Sequence, residues 1–263
     1  GFNDIRGTMF FQFARAIKEV RPKVILGENV RGLVSHDSGR TLATIKQTLQ
    51  NLGYTLIEPR VLNAVNYRVP QKRERIFIVG IRDDLAGRVH FAWPEPYGRM
   101  MTMTDALKAG ELYDVDVPPS EGQLYPAHKK AVMDLVPPGG CWRDLPDNIA
   151  RTYMKGSYFL GGGRTGMARR LGWHEPSLTL TCAPAQNQTE RCHPDETRPL
   201  TVREYARIQT FPDDWQFAGS MSQRYKQIGN AVPVNLARAV GESLAALLAQ
   251  LDKLPTNFPR TTI

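Results

Sequence analysis

The run Ile76-Phe-Ile-Val-Gly-Ile81 constrains this chain more than any other segment. It is apolar, rich in β-branched residues and bounded by arginines, so it reads as a strand. A shorter run, Lys23-Val-Ile-Leu26, lies upstream and ends at Gly27-Glu28-Asn29. It reads as a second strand, a buried one. Between the two, a helix is predicted over Thr41 to Asn51, with Leu42, Ile45 and Leu49 inward and Gly53 as its stop. Tyr54 to Leu62 reads as a further strand. Ahead of them all, Phe10, Phe13, Ala14 and Ile17 fall at i, i+3, i+4 and i+7, one face of a helix that Pro22 follows. Strand, helix and strand at this spacing predict a crossover unit and a largely parallel sheet, so the class is α/β.

After about residue 88 the character changes. Residues 93 to 200 are rich in Pro and Gly and lack long periodic runs, as expected of a smaller, irregular, strand-containing domain. The interval Arg151 to Arg170 carries Arg151, Lys155, Arg164, Arg169 and Arg170 and no acidic residue. Tyr153, Tyr158 and Phe159 are interleaved, and Gly161-Gly162-Gly163 permits close backbone approach to a ligand. Two readings stand: a solvated loop, or a surface whose basic groups contact phosphate while its loops reach base edges. The chain has 34 Lys+Arg against 26 Asp+Glu, a formal charge of +8 with pI near 9.5. That balance is consistent with a polyanionic partner and does not by itself require one. Helices return near the end. Thr201-Val-Arg-Glu204 has the form of a capping box, with Tyr205 and Ile208 inward behind it. A last helix is predicted from Val234 to Leu251, with Ala237, Val240, Leu244, Leu248 and Leu251 as its buried stripe.

With 263 residues there is room for one large domain or two smaller ones, and for a core that needs no disulfides. No run approaches the ~18 apolar residues of a membrane span, so no membrane is expected. Three cysteines form no framework, which points to a reducing, cytoplasmic setting, and no leader sequence precedes the first helix. There is no Walker loop and no G-x-G-x-x-G after a strand. Cys182, Cys192 and His193 do not have zinc spacing, so no metal site is expected.

Three segments carry chemistry. Glu28 directly follows a buried strand, where open α/β sheets bind ligands; read alone it is equally an exposed turn residue. In Gln71-Lys-Arg-Glu-Arg75 the alternation of a strand puts Gln71, Arg73 and Arg75 on one face, as an anion or carbonyl clamp or as a solvated approach to the strand. Gln227-Ile-Gly-Asn-Ala-Val-Pro233 opens the last helix. Its Gly and Asn form either a helix entry that frees backbone N–H groups for a ligand or a plain Gly-Asn turn with an N-cap.

Taken in order, these segments resemble the C-terminal portion of a DNA (cytosine-5) methyltransferase of the bacterial restriction–modification type. Arg6-Gly-Thr-Met-Phe-Phe11 is similar to the family's Arg-Gly-x-Leu-Phe, with Met9 in place of Leu. Glu28-Asn-Val30 matches Glu-Asn-Val, and Gln71 to Arg75 matches Gln-x-Arg-x-Arg. Arg198 to Pro212 matches Arg-x-Leu-Thr-x-Arg-Glu-x-Ala-Arg-x-x-x-Phe-Pro, and Gln227 to Pro233 matches the closing Gly-Asn-x-Val. Only about residues 90 to 195 are uncovered, where the family keeps its target-recognition region. The family's Phe-x-Gly-x-Gly cofactor loop and its Pro-Cys nucleophile are not in this sequence: Cys141 follows Gly140, Cys182 follows Thr181 and Cys192 follows Arg191.

The resemblance implies part of a Rossmann-like S-adenosylmethionine-dependent sheet over 1–90 and 229–263, and a target-recognition domain over 91–228. It implies S-adenosyl-L-methionine as cofactor, with Met9, Asn230 and Ala231 lining its pocket, and double-stranded DNA as partner. The target cytosine leaves the duplex stack. A cysteine thiolate, absent here, adds to ring C6 and activates C5. Glu28 protonates or hydrogen-bonds N3 and the exocyclic amine, for which burial would supply a raised pKa. Asn29 orients the Glu28 loop, Arg75 holds the cytosine O2, and Arg73 braces the site or a phosphate. Ser177-Leu-Thr-Leu180 resembles the end of the recognition region, with Thr179 on a phosphate; Thr179 is also readable as an ordinary strand threonine. Arg164, Arg169, Arg170, Gln186 and Arg191 are candidates for base or phosphate contact. Without the Pro-Cys nucleophile the chain alone is expected to be inactive, and a complementary polypeptide is an expected partner. The alternative is a non-catalytic DNA-targeting or activating subunit of a split methyltransferase.

Overall fold

A computed structural model describes residues 5–159 and 166–254 of the chain. Helix α1 (Ile5–Val20) is followed by β1 (Val24–Val30), α2 (Arg40–Asn51), β2 (Tyr54–Leu56), β3 (Arg60–Asn63), β4 (Gln71–Lys72), β5 (Glu74–Arg82) and α3 (Asp83–Ala86). Then come α4 (Met103–Leu107), α5 (Ala127–Met133), α6 (Asp147–Met154), α7 (Gly156–Phe159), β6 (Ser177–Leu178), α8 (Val202–Ile208), α9 (Met221–Asn230) and α10 (Val234–Leu251). The chain divides into two compact units, one of Gly1–Leu62, Glu74–Glu95 and Arg238–Ile263, the other of Asn63–Arg73 and Pro96–Ala237. Among the described residues no single helix is long and apolar enough to cross a membrane.

The first unit is built on β5. Its even positions Ile76 and Ile78 pack with Ile17, Ile25, Ile45 and Leu49. Its odd positions Val79 and Ile81 pack with Leu85, Phe91, Leu247 and Leu251. Alternation thus buries both faces, as the unbroken apolar run requires. β5 pairs antiparallel with β1, from Val24 opposite Ile81 to Val30 opposite Arg75. It also pairs antiparallel with β2, from Tyr54 opposite Arg82 to Leu56 opposite Gly80. β1 and β2 therefore run in the same direction across the α2 crossover, but β5 lies between them. This corrects the expectation of a largely parallel sheet. A parallel partner needs a crossover of a dozen or more residues, usually helical. No α-helix lies between β2 and β5, so β5 returns antiparallel.

Three local expectations are also corrected. The single strand over Tyr54–Leu62 is two, because Pro59 has no N–H to give a ladder. β1 runs past Gly27 to Val30, and Leu26, Glu28, Asn29 and Val30 are exposed. The α10 stripe is Leu236, Val240, Leu247 and Leu251, while Ala237 and Leu248 face solvent. In a helix this rich in Ala and Leu the apolar pattern leaves its phase open.

The second unit is mostly helical and irregular. Met103 and Leu107 of α4, Tyr205 and Ile208 of α8, and Tyr225 and Ile228 of α9 share one core cluster. The predicted capping box is formed, with Thr201 accepting from the Glu204 N–H and the Glu204 carboxylate taking the Thr201 N–H at 2.7 Å. Arg198 grips the same carboxylate with two bonds of 2.8 Å. Immediately after α8 and its cap, Thr210 has φ of 60°, a left-handed conformation that a β-branched residue adopts only under constraint. Its Oγ1 donates to the Gln209 carbonyl (2.7 Å) and accepts from the Asn235 N–H (3.0 Å). The only strand pairing here is short and parallel, Gln71 opposite Ser177 and Lys72 opposite Leu178 among the described residues. The second unit joins Asn63–Arg73 to Pro96–Ala237.

Gly80 sits opposite Ile25 on one neighbour and Leu56 on the other, and a Cβ there would meet their side chains at 2.8–2.9 Å. Gly80→Val is expected to destabilise the chain by about 1–3 kcal/mol through overpacking, read as a lowered thermal midpoint.

Candidate functional site

Antiparallel register brings the C-terminal end of β1 to the start of β5. Val30 lies opposite Arg75 and Glu28 opposite Phe77, so Glu28 and Arg75 are diagonal neighbours on one face. Arg75 Nε donates to Glu28 Oε1 at 2.9 Å, and the Arg75 Nη1 group donates to the Glu74 carbonyl at 2.8 Å. Burial pulls the Arg75 guanidinium below its ordinary pKa, and the Glu28 carboxylate opposes that shift. Arg31 pairs with Glu74 at 2.6 Å beside them. The Asn29 Oδ1 accepts from the next N–H, that of Val30, at 2.8 Å, which pins its side chain to the strand end. The burial expected around Glu28 is not there: its side chain is 33% exposed and its neighbour is a cation. The arrangement offers a carboxylate and a guanidinium side by side at a strand end, suited to a planar ligand with both donors and acceptors.

Arg73 behaves differently. It is buried, and its donors go to two backbone carbonyls, Leu180 at 2.9 Å and Gly229 at 2.7 Å. The expected clamp of Arg73 with Arg75 is therefore corrected: Arg73 braces the interior of the second unit, while Arg75 stands with Glu28 in the first. The bracing half of the expectation fits this geometry, and the phosphate half does not.

The Gly-Asn motif is corrected as well. Gly229 and Asn230 end α9, with Ala231 as its C-cap, and α10 starts only at Val234. No helix N-terminus is presented there. Asn230 is exposed, and its Oδ1 accepts from the Cys182 thiol at 3.3 Å. Beside it lies a recess of about 460 Å³ lined by Ala218, Gly219, Gln223, Lys226, Gln227 and Asn230. Its small and amide-bearing lining fits one wall of a nucleoside-sized site. Met9, on α1, is 64% exposed.

Of the residues expected to touch DNA, Arg164 and the Gly161–Gly163 run lie outside the described residues. Arg170 is buried and spends its guanidinium on the carbonyls of Val136 (2.7 Å) and Met133 (2.8 Å) and on Thr197 Oγ1 (2.8 Å). Arg191 is buried too, donating to the Glu190 and Thr179 carbonyls, and desolvation pushes it down to about 10. Arg169 is buried against Glu175 at 2.5 Å. Arg170 is corrected to a structural role, because carbonyls and a hydroxyl take up its guanidinium donors. Arg169 and Arg191 are buried as well, which removes them from an exposed phosphate-binding surface. The Thr179 hydroxyl donates to the Lys72 carbonyl at 2.7 Å, so it is not a phosphate donor either. Gln186 is exposed. The exposed cations are Arg143, Arg151 and Lys155 around α6, with Arg143 and Arg151 stacked on Trp142 and Tyr158. Arg143 carried no signal beyond its charge. The buried pair Lys129–Glu190, at 2.6 Å with the Tyr153 hydroxyl on the same carboxylate, was also not legible in sequence.

A sequence model described as C-5 cytosine-specific DNA methylase matches residues 1–246. The chain belongs to that family. It is 66% identical over 253 residues to the Type II methyltransferase M.Eco47II of Escherichia coli, covering 96% of this chain and 61% of that protein. It is 50% identical over 252 residues to M.Sau96I of Staphylococcus aureus, covering 96% and 57%. The chain thus spans about three-fifths of the length of the curated relatives it matches. Among solved structures, an Escherichia coli prophage protein named as a DNA modification methyltransferase superposes with a TM-score of 0.71 at 21% identity, covering 95% of this chain and 76% of that one. The Entamoeba histolytica methyltransferase EhMeth gives 0.58 at 17%, covering 96% and 71%. These likenesses show the fold, a mixed α/β architecture shared with those two proteins.

Arg170→Ala is expected to cost about 3 kcal/mol or more, because several buried carbonyls lose their donors together. Arg143→Ala is expected to leave the thermal midpoint within the scatter of surface substitutions. Thermal melts of the two variants check both.

Proposed function

We propose that this chain is the C-terminal portion of a DNA (cytosine-5)-methyltransferase of a restriction–modification system. It acts in methyl transfer from S-adenosyl-L-methionine to C5 of a flipped-out cytosine in a specific duplex site, protecting that DNA from a cognate restriction enzyme. The observation that carries the reading is the Glu28–Arg75 pair at the C-terminal end of β1, in a chain of the cytosine-specific methylase family. The first unit is read as part of the catalytic domain, the second as containing the target-recognition region, and the cytoplasm as the place where both work.

The chemistry asked of these residues is specific. The base leaves the stack because its reacting face is otherwise covered. Thiolate addition to C6 spreads negative charge over N3 and O2. Glu28 in its protonated form donates its proton to N3 while its other oxygen accepts from the exocyclic amine, and Arg75 donates to O2. The charge developing on the ring is thus neutralised at N3 and held at O2 by groups already in place. Arg75 Nε meets Oε1 of Glu28, and the Glu28 side chain stays one-third exposed, so the carboxyl group is accessible to a ligand. Asn29, pinned to the Val30 N–H, holds the strand end that carries Glu28. Asn230, Ala231 and Met9 line the cofactor side; S-adenosyl-L-methionine supplies the electrophilic methyl group.

The nucleophile comes from elsewhere. Cys141 and Cys192 are buried, burial pushes the Cys192 thiol up, and Cys182 caps Asn230. None follows a proline, so we assign the thiolate to polypeptide outside this sequence. The outer edge of β1 supports such a partner: it has no paired strand among the described residues, and Leu26 and Val30 are exposed beside it.

Two outcomes are expected. With labelled S-adenosylmethionine and mixed-sequence DNA, the chain alone transfers no methyl group. Adding a polypeptide that carries the Phe-x-Gly-x-Gly and Pro-Cys segments restores transfer, and Glu28→Gln then slows it by about 10²-fold or more while DNA affinity stays within a few-fold. Transfer by the chain alone removes the missing-nucleophile assignment. No transfer in either case, with DNA bound, leads to the targeting-subunit reading. Duplex binding is also expected to fall steeply with salt as counterions are released, and a flat profile contradicts a phosphate-contacting surface.

A further inference from the structure

The second unit contains a buried relay of side-chain amides with a single direction. The Leu180 N–H donates to Gln71 Oε1 at 2.9 Å. Gln71 Nε2 donates to Gln209 Oε1 at 3.0 Å. Gln209 Nε2 donates to the carbonyls of Ile228 (2.7 Å) and Ala231 (3.3 Å). Both glutamines are fully buried. Arg73 closes the circuit, binding the Leu180 and Gly229 carbonyls from one guanidinium. Each carboxamide uses its oxygen on one side and its nitrogen on the other, so neither can turn over without leaving a buried group unpaired.

The ends of the relay are the parts that the function needs. At one end Leu180 lies between half-exposed Thr179 and Thr181, whose hydroxyls donate to the Lys72 and Ala183 carbonyls, and the Lys72 side chain itself is exposed. At the other end the Ile228–Ala231 turn carries Asn230 and Ala231. The packing between the ends is tight: a Cβ on Gly229 would lie 2.1 Å from the Thr181 carbonyl oxygen. The middle is constrained as well. Gln209 closes α8 by donating its N–H to Ala206, and the left-handed Thr210 that follows clamps the Gln209 carbonyl.

We propose that Gln209 is a positioning residue that couples the segment Thr179–Thr181, which follows the strand paired with that of exposed Lys72, to the cofactor-side turn Ile228–Ala231. Phosphate contact at Lys72 and its neighbours orders the Leu180 N–H. That order passes through Gln71 and Gln209 to the turn, which settles in the geometry that Asn230 and Ala231 need. Coupling through a continuous hydrogen-bonded network of this kind requires no change of fold. This inference rests on the reading of the chain as a DNA-binding methyltransferase portion.

The test is hydrogen exchange on the full chain, with and without a mixed-sequence duplex at low salt. In the wild type, DNA is expected to slow exchange at the Ala231 and Val232 amides about tenfold. Two variants break the relay from opposite ends. Gln209→Met keeps the side-chain length and removes both polar groups. Gln71→Glu keeps the acceptor for Leu180 and faces Arg73 with a carboxylate, but removes the donor to Gln209. Each is expected to bind the duplex within threefold of wild type and to lose the DNA-dependent slowing at the turn. A merely structural role would speed exchange throughout α8 and α9 whether or not DNA is present, and would overturn the proposal. So would slowing that survives in both variants, or a wild-type turn that ignores bound DNA. A wild-type chain that binds no duplex overturns the functional reading itself and the inference with it.

Discussion

A guanidinium carried into a protein interior must find several acceptors, because desolvating the charge costs far more than any one neutral hydrogen bond returns. Arg73 is that group here. Its two close acceptors are backbone carbonyls, so the demand falls on the path of the chain rather than on other side chains. The Leu180 and Gly229 carbonyls must both turn toward it. Bringing them together places the Thr181 carbonyl where a Cβ on Gly229 would be, and glycine is the residue that fits. The same convergence sets Gln71 and Gln209 side by side and ends α9 where Asn230 reaches the surface. Much of the second unit's order follows from one buried charge.

Two residues further on, Arg75 has the opposite surroundings. It is half-buried on β5, with a carboxylate at 2.9 Å beside the one carbonyl it holds. A partly hydrated ion pair of this kind contributes little to stability, about 0–1 kcal/mol by the measure of exposed pairs. It does hold both groups in one orientation, which is what a site that must recognise a planar base requires. The two arginines of Gln-x-Arg-x-Arg therefore divide the work, one holding the scaffold and one standing ready for a ligand.

The arginines of the irregular middle show where reading by residue type fails. Arg169, Arg170 and Arg191 have the composition of a phosphate-binding surface, yet all three are turned inward. In a unit with little regular secondary structure, many carbonyls have no ladder or helix partner. Arginine, with five donors in a rigid fork, is the side chain best able to satisfy several of them at once. Arg143, Arg151 and Lys155 are left at the surface. Charge alone does not separate these two groups.

Local pattern determined a good deal. The strand Ile76–Ile81, the helices around Ile17 and Leu49, the Thr201 capping box and the order of the family segments all follow from period, turn chemistry and short motifs that act within a few residues. The tertiary structure alone decided how those pieces pair. It inserted β5 antiparallel between β1 and β2, broke a strand at Pro59, left Glu28 half-exposed against Arg75 rather than buried, and sent Arg170 and Arg191 inward. Apart from the break at Pro59, each of these depends on which segments the fold brings together or on a competition for acceptors, neither of which a local pattern encodes.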